Sequence, residues 1–204
     1  MAGVKGFILT NSSSDNRGSA ELRYYGRGED GPFKIVISDP RPVFFVEQEQ
    51  ALSPLPGLFV RDIALKTFDS KPVKALYFNS LDHYYKARRE LHAKGITTYE
   101  SDVWPADRYL MERFIHTGIE ITGDMHREGL LTVWNNPKLS PAEYNPALKW
   151  LSLDIETGQH GELYSIALHG TYGDTGYKKV FIVDEQRQME KRQGLSLNHP
   201  ERNF

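Results

Sequence analysis

The sequence contains no cysteine among its 204 residues. Disulfide bonds and thiolate zinc sites are therefore excluded, and the absence agrees with a reducing cytoplasm. No apolar stretch approaches the roughly 20 residues that a membrane-spanning helix needs, and the first residues lack the basic start and apolar run of a secretory signal. The chain also has no large excess of positive or negative charge, since it contains 25 basic and 27 acidic residues. We expect a cytoplasmic protein without a membrane partner, and composition alone gives no sign of nucleic-acid binding.

The first part of the chain has the pattern of antiparallel β-structure. Hydrophobic residues make up 39% of the sequence, which is enough for a sizeable core. Short runs rich in Val, Ile, Phe and Tyr alternate with clusters of Ser, Asn, Gly and Pro, which is typical of strands and turns. The predicted strands are residues 6–10, 21–26, 33–38, 43–46 and 58–65, with turns at residues 11–16 and 29–32.

A strand, a helix and a second strand follow one another in the middle of the chain. Residues 73–78 are predicted as a strand, a helix capped by Asn79 or Ser80 is predicted to run to about residue 94, and residues 96–100 form the next strand. This order suggests a split βαβ unit like that of the RNA-recognition fold. Its aromatic residues would either stack on single-stranded nucleic acid or form core, and the missing RNP signature favours core. The aromatic residues in question are Tyr77, Phe78 and Tyr99.

The remaining elements predict an α+β protein with two domains. A helix is expected at residues 106–116, after a proline in its first turn, and a β-hairpin at residues 120–123 and 130–134. The proline-rich segment 135–147 reads as a linker, followed by strands at residues 148–155, 162–169 and 179–183. The predicted organisation is an N-terminal domain at 1–134, the linker at 135–147, a partial second domain at 148–184 and a polar tail at 185–204.

The strand after the linker carries two acids. Successive side chains of a strand point to opposite faces, so Leu151, Leu153 and Ile155 are predicted to lie on a buried face, and Asp154 and Glu156 on the other. Two residues of strand span about 7 Å, and hard divalent cations prefer oxygen ligands. The pair is therefore a candidate metal site. The alternative is a strand end whose acids only face water.

Several motifs of this chain resemble family B DNA polymerases. Residues 149–157, KWLSLDIET, and 160–164, HGELY, are similar to the first exonuclease motif of that family. Residues 99–103 and 108–114 resemble the segment before this motif, and residues 6–10 and 120–126 match the bacterial branch. The resemblance covers residues 4–184 and implies a β-rich N-terminal domain followed by the first strands of a ribonuclease-H-like exonuclease domain.

The resemblance implies a function. Members of this family are DNA-directed DNA polymerases, a class of nucleotidyltransferase, with a 3′–5′ proofreading exonuclease, and they act in DNA replication and repair. Two Mg²⁺ or Mn²⁺ ions would be held in part by Asp154, which bridges them, and by Glu156, which binds the ion beside the attacking water. DNA template and primer are the expected partners, with a processivity clamp reached through a C-terminal part, in the nucleoid of a bacterial cytoplasm.

The sequence does not include the two later exonuclease motifs that supply further acids in this family. We therefore expect the front part of a polymerase with an incomplete metal site and no activity of its own. The alternative is a stand-alone module that binds single-stranded nucleic acid and has vestigial acids. Residues 172–175, YGDT, resemble a polymerase palm motif, but Gly176 replaces its last aspartate and a hairpin loop is the preferred interpretation.

Overall fold

The computed structural model describes residues 3–172 and 175–183. This part of the chain is mostly β-sheet, with thirteen strands and two helices, so the predicted β-rich character is confirmed. The chain divides into two compact units, Met1–Pro146 and Ala147–Phe204, which we call the first and the second unit. The predicted tail at 185–204 lies outside the described residues. No helix in the described part is both long and apolar enough to cross a membrane.

The first unit contains ten strands and two helices within its described residues. They are β1 (Val4–Asn16), β2 (Ser19–Gly28), β3 (Gly31–Ser38), β4 (Val43–Glu47), β5 (Leu58–Lys66), β6 (Pro72–Phe78), α1 (Leu81–Ala93), α2 (Pro105–Met111), β7 (Gly118–Thr122), β8 (Met125–Glu128), β9 (Leu131–Asn135) and β10 (Lys138–Pro141). A seven-stranded sheet has the order β10-β7-β1-β2-β3-β9-β8, and a three-stranded sheet has the order β4-β6-β5.

Helix α2 covers the apolar face of the seven-stranded sheet. The sheet contributes buried residues such as Leu22, Ile35 and Ile119, and the helix contributes Leu110 to the same cluster. The buried hydroxyl of Tyr24 donates a hydrogen bond to the Ala106 carbonyl at 2.7 Å, which ties strand to helix. This contact gives α2 a fixed place on the sheet.

The first hairpin differs from the sequence prediction. Residues 11–16, predicted to be a turn, continue β1 and pair with β2 up to Asn16 and Ser19. The turn is Arg17-Gly18, and both residues have positive φ, 51° and 81°, as a two-residue hairpin turn of the favoured hand requires. The polar residues are tolerated because this end of β1 is largely exposed and the partner strand satisfies its backbone groups.

The predicted hairpin between residues 120–123 and 130–134 is wrong. Strand β7 pairs with β1 and β10, whereas the antiparallel partner of β9 is β8, which lies between the two predicted strands. Gly129, with φ of 60°, lies in the true turn. The predicted linker is also partly regular, because β10 lies within it and extends the seven-stranded sheet.

The smaller sheet packs one face against helix α1. The helix begins after Ser80, whose hydroxyl accepts a hydrogen bond from the His83 N–H at 3.2 Å, so the predicted cap is confirmed. Its buried residues Tyr84 and Leu91 lie in one cluster with Phe44 and Phe78 of the sheet. The sheet face that carries Phe44 and Phe78 is therefore core.

Two predicted elements around α2 are shorter than expected. The strand at residues 96–100 is reduced to one antiparallel bridge between Tyr99 and Phe45, and Glu100 adopts a left-handed conformation with φ of 57° that ends the extended segment. The helix predicted to reach residue 116 ends at Met111, and Phe114 reverses the chain with φ of 56°. Both reversals come from positive-φ residues other than glycine, which the sequence pattern does not reveal.

The second unit is a three-stranded antiparallel sheet in its described part. Its strands are β11 (Leu151–Thr157), β12 (Leu163–Tyr172) and β13 (Thr175–Ile182), in that order across the sheet. The three strands predicted here are confirmed, but β11 is not buried. Leu151, Leu153 and Ile155 are 58%, 56% and 49% exposed, because no described layer of this unit packs on their face.

Candidate functional site

Asp154 and Glu156 lie on one face of β11, as the alternation of the strand predicts. Their cross-strand neighbours on β12 are Ala167 and Ser165, whose small side chains leave room beside both carboxylates. The next residues on this face lie on β13 and are Val180, opposite Ala167, and Ile182, opposite Ser165. Both acids are exposed, and the strand sets them about 7 Å apart along its axis. The structure therefore presents two carboxylates from one side of a regular strand.

Neither carboxylate has a bonding partner among the described residues. Within residues 3–172 and 175–183, no hydrogen bond or ion pair holds the side chain of Asp154 or Glu156. The described residues also contain no group of three or more His, Asp or Glu side chains that could hold a metal ion. The donor set is chemically suited to Mg²⁺ or Mn²⁺, but it supplies two carboxylates only. Additional ligands must complete such a site.

A tight turn fixes the end of the strand next to Glu156. The β11–β12 register shifts after Glu156, and the Gly158 N–H donates a hydrogen bond to the Glu162 carbonyl at 2.8 Å. A Cβ atom at Gly158 would lie 2.5 Å from a carboxylate oxygen of Glu162 and 2.7 Å from the Tyr164 hydroxyl. Both atoms are the ends of side chains that can move aside, so the backbone hydrogen bond is what fixes the turn at the acid-bearing end of β11.

A second surface, in the first unit, combines aromatic rings with arginine side chains. It is the face of the β4-β6-β5 sheet opposite α1. The strand register places Phe45, Tyr77 and Phe59 on this face. Each ring has a guanidinium group near it: Arg108 lies 5.2 Å from the Phe45 ring centre, Arg61 lies 6.0 Å from that of Tyr77, and Arg41 lies 4.8 Å from that of Phe59. We call this surface the arginine–aromatic face.

The three arginines differ in their surroundings. Arg41 and Arg61 are exposed and form no ion pair within the described residues. Arg108 is largely buried and forms ion pairs with Glu100 and with Glu112, the latter at 3.6 Å. One buried guanidinium nitrogen, Nε, has no hydrogen-bond partner in the described part of the chain. Arg41 and Arg61 are therefore available to an anion in solvent, and Arg108 mainly holds the local structure.

Tyr77, Phe78 and Tyr99 lie in different environments. Phe78 is fully buried against Phe44 and Tyr84, so it belongs to the core. Tyr77 is half-buried on the arginine–aromatic face. Tyr99 donates a hydrogen bond to the Glu47 carboxylate at 3.0 Å, and this bond raises the pKa of the Tyr99 hydroxyl. A hydrogen bond from Lys71 at 2.8 Å lowers the pKa of Glu47.

Sequence reasoning missed Arg41, Phe59 and Arg61. Phe59 and Arg61 alternate along β5, which is a usable signal for one face of a strand. Arg41 precedes β4 and adopts a left-handed conformation with φ of 47°. Only the folded chain brings its guanidinium group over Phe59, so the sequence pattern contains no sign of that contact.

Comparisons with known proteins show which proteins the chain is similar to. No family model matches the sequence. The chain is 37% identical over 172 residues to DNA polymerase II of Escherichia coli (strain K12), a match that covers 81% of this chain and 22% of that protein. The chain is related to family B DNA polymerases. The resemblance found in the sequence is thereby confirmed, and the stand-alone binding module is not favoured.

A solved polymerase structure has the same fold. The structure of the family B DNA polymerase from the hyperthermophilic archaeon Pyrobaculum calidifontis matches 89% of this chain with a TM-score of 0.62. The two sequences are 18% identical, so this likeness concerns the fold alone. The match covers 27% of the archaeal chain, so the present chain spans about a quarter of that polymerase.

Proposed function

We propose that this chain is the N-terminal part of a DNA-directed DNA polymerase with a 3′–5′ proofreading exonuclease, which acts in DNA replication or repair. The observation that carries the proposal is the 37% identity to a DNA polymerase over 172 residues. The face of β11 that presents Asp154 and Glu156 together supports it. A processivity clamp as partner and a nucleoid-associated place in the bacterial cytoplasm belong to the same proposal and rest on the resemblance alone.

The proposal includes a split βαβ unit in the first unit. The segment at Tyr99 is antiparallel to β4 at its single bridge, and β4 is antiparallel to β6. The segment therefore runs parallel to β6, with β4 between them and α1 as the connection. This arrangement is the one expected of a split βαβ unit whose second strand is almost lost.

The proposed second domain is the beginning of a ribonuclease-H-like exonuclease sheet. Three consecutive antiparallel strands with the acids on the first of them support this assignment. The proposed domains are residues 1–134 and 148–184, with the linker at 135–147. The division of the chain into compact units after Pro146 supports a boundary at the end of that linker.

Asp154 and Glu156 are the proposed catalytic and metal-binding residues. Two bound Mg²⁺ or Mn²⁺ ions would supply an activated water and stabilisation of the leaving 3′ oxygen. As the resemblance implies, Asp154 would bind both ions, and Glu156 would bind the ion beside the attacking water. Neither side chain is held by a hydrogen bond or an ion pair within residues 3–172 and 175–183, and a regular strand supports both, so they are open to a cation.

The two carboxylates alone make a weak site. No third acidic or histidine side chain joins Asp154 and Glu156 among the described residues. Water molecules or further acids would have to supply the remaining metal ligands. We therefore expect this chain to bind Mn²⁺ weakly and to show negligible exonuclease activity by itself.

Calorimetric titration with Mn²⁺ tests the metal assignment. The unmodified chain should release or absorb heat in a saturable way, and Asp154→Ala should remove that signal. Glu162→Gln is the control, because this acid lies in the adjacent turn, where its carboxylate accepts a hydrogen bond from the His160 N–H at 3.2 Å. Identical titration curves for the unmodified chain and Asp154→Ala would refute the site.

The arginine–aromatic face is the proposed contact for a single DNA strand. Aromatic rings stack on bases, and exposed arginines pair with phosphates, a combination that is typical of single-strand binding. Phe59 is 46% exposed and Arg41 and Arg61 are free of ion pairs within the described part, so each can contact a strand directly. Replacement of these groups should therefore weaken DNA binding.

Fluorescence anisotropy with a labelled oligo(dT) tests this contact. The double variant Arg41→Ala/Arg61→Ala should bind more weakly, and the dependence of its affinity on salt should be shallower by about two phosphate contacts. Arg89→Ala, an exposed arginine on α1 at the opposite side of the sheet, should leave both quantities unchanged. Equal weakening by the two variants would indicate a non-specific charge effect.

A further inference from the structure

Phe114 occupies a backbone position where glycine is normally found. The Ile115 N–H donates a hydrogen bond to the Leu110 carbonyl and the Phe114 N–H donates one to the Met111 carbonyl, both at 3.0 Å. This is the pattern of a Schellman motif, whose left-handed residue is usually glycine. Here that residue is Phe114, with φ of 56°. A side chain in this conformation lowers the stability of the fold.

The aromatic ring of Phe114 does not offset this strain by burial. The residue is 82% exposed, whereas Leu110 and Ile115 on either side of the reversal are buried in the core. Glycine would serve the turn better, and a smaller polar residue would serve solubility better. An exposed ring held in a strained conformation therefore points to a contact with another molecule.

A cavity of about 660 Å³ lies beside Phe114. Phe7 and Tyr144 line it together with Phe114, and both are half-buried. The backbone of the wall is held in place, since the Ala142 N–H donates a hydrogen bond to the Gly118 carbonyl at 3.1 Å and a Cβ atom at Gly118 would lie 2.2 Å from the Ala142 oxygen. The cavity therefore exists before any ligand binds.

Three polar side chains at the cavity have no hydrogen-bond or ion-pair partner among the described residues. His116, Glu143 and Asn145 line it, and within the described residues none of them forms a hydrogen bond or an ion pair through its side chain. Apolar walls with a few unpaired polar groups are the usual composition of a ligand site. The amide of Asn145 and the ring of His116 can donate to carbonyl oxygens of a ligand.

The charge of the lining selects among ligands. Among the described residues, no lysine or arginine lines the cavity, and Glu143 is the one carboxylate that does. A nucleic-acid strand would bring phosphates towards a negative group with no cation to receive them. A peptide with a basic side chain would pair with Glu143 instead.

We propose that this cavity binds an extended, proline-rich peptide segment with a basic residue, supplied by a partner protein. Aromatic grooves accept proline rings of such segments, and the polyproline backbone leaves its carbonyls free for donors such as Asn145 and His116. Phe114 forms the exposed wall of the groove, and Glu143 pairs with the basic residue. This interaction goes beyond the proposed polymerase function and involves a different surface from the arginine–aromatic face.

The test uses the full chain and a fluorescein-labelled peptide of alternating proline and leucine that ends in two arginines. Phe114→Gly should raise the melting temperature, because it relieves the strained conformation, and should weaken peptide binding by at least about tenfold. Glu143→Gln should weaken binding of this peptide but not of a version with the arginines replaced by glutamine. Arg89→Ala, far from the cavity in sequence and on α1, should change neither.

Three results would overturn the proposal. The first is an unmodified chain that does not bind the peptide at concentrations up to about 1 mM. The second is a Phe114→Gly protein that melts higher but binds as tightly as the unmodified chain. The third is competition by unlabelled oligo(dT) that displaces the peptide and is lost in Phe114→Gly, which would make the cavity a nucleic-acid site.

Discussion

The carboxylate of Asp15 accepts hydrogen bonds from the backbone N–H of Leu81 at 2.7 Å and from that of Asp82 at 2.9 Å. Asp15 lies near the tip of the β1–β2 hairpin, and Leu81 and Asp82 open helix α1. The first N–H groups of a helix have no partner within the helix, and a negative charge there also interacts favourably with the helix dipole. The tip of the larger sheet thus caps the helix that covers the smaller one.

Loss of this cap should destabilise the first unit. Asp15→Ala removes both acceptors and leaves two helix N–H groups to be satisfied by water, so we expect a loss of about 0.5–2 kcal/mol in the free energy of unfolding. Urea unfolding followed by circular dichroism measures it. Asp30→Ala, in the exposed turn before β3, is the control. Equal stability of the two variants would mean that the Asp15 contact contributes nothing.

Gly26 is a position where the core excludes even one methyl group. A Cβ atom there would lie 2.1 Å from the Phe7 carbonyl oxygen and 2.3 Å from the ring of Phe33, which is 1% exposed. Gly26→Ala should therefore cost about 1–3 kcal/mol, since backbone or a buried ring must move. Gly176→Ala, whose added methyl group would meet no atom of the described residues within 4 Å, should unfold like the unmodified chain. Thermal melting of both variants decides the point.

Two buried tyrosines predict a loss of stability at alkaline pH. Burial raises the pKa of Tyr84 to about 12 and raises that of Tyr24 further, and each hydroxyl donates a hydrogen bond to a backbone carbonyl. Both groups remain protonated in the folded chain while their unfolded counterparts ionise near pH 10. Stability is therefore complete below about pH 10 and falls above it, by at most about 1.4 kcal/mol per pH unit for each tyrosine.

Urea titrations between pH 8 and pH 11 (a range set by the tyrosine pKa) measure this loss. The variants Tyr24→Phe and Tyr84→Phe should each show a flatter decline than the unmodified chain, although both are less stable at pH 8. Tyr25→Phe is the control, because its side chain is half-buried and forms no hydrogen bond within the described residues. An unchanged decline in all three variants would contradict the assignment.

Local signals predicted the elements that depend on local structure. Ser80 and the apolar spacing of Leu81, Tyr84 and Leu91 located helix α1, and alternation along β11 placed Asp154 and Glu156 on one face. These features depend on a residue and its close neighbours in sequence. The family resemblance then gave a chemical meaning to the acid pair that alternation alone does not supply.

Pairing and exposure were the features that the sequence could not reveal. The partners of β7 are β1 and β10, and nothing in the strand itself distinguishes them from β9. The apolar residues of β11 were expected to be buried, but burial depends on whether another layer packs on the strand. Arg41 belongs to the candidate DNA contact because its guanidinium group lies near the Phe59 ring. The fold brings these two residues together, and the sequence pattern does not show it.

The most direct test of the account is a nuclear magnetic resonance titration of the chain with Mn²⁺, which broadens signals near its binding site. We expect selective broadening of the backbone amides of Asp154 and Glu156 and of their cross-strand neighbours Ala167 and Ser165. Asp154→Ala should abolish that pattern and leave the rest of the spectrum unchanged. Broadening centred on other acids, or spread evenly over the chain, would contradict the assignment of an exonuclease metal site to β11.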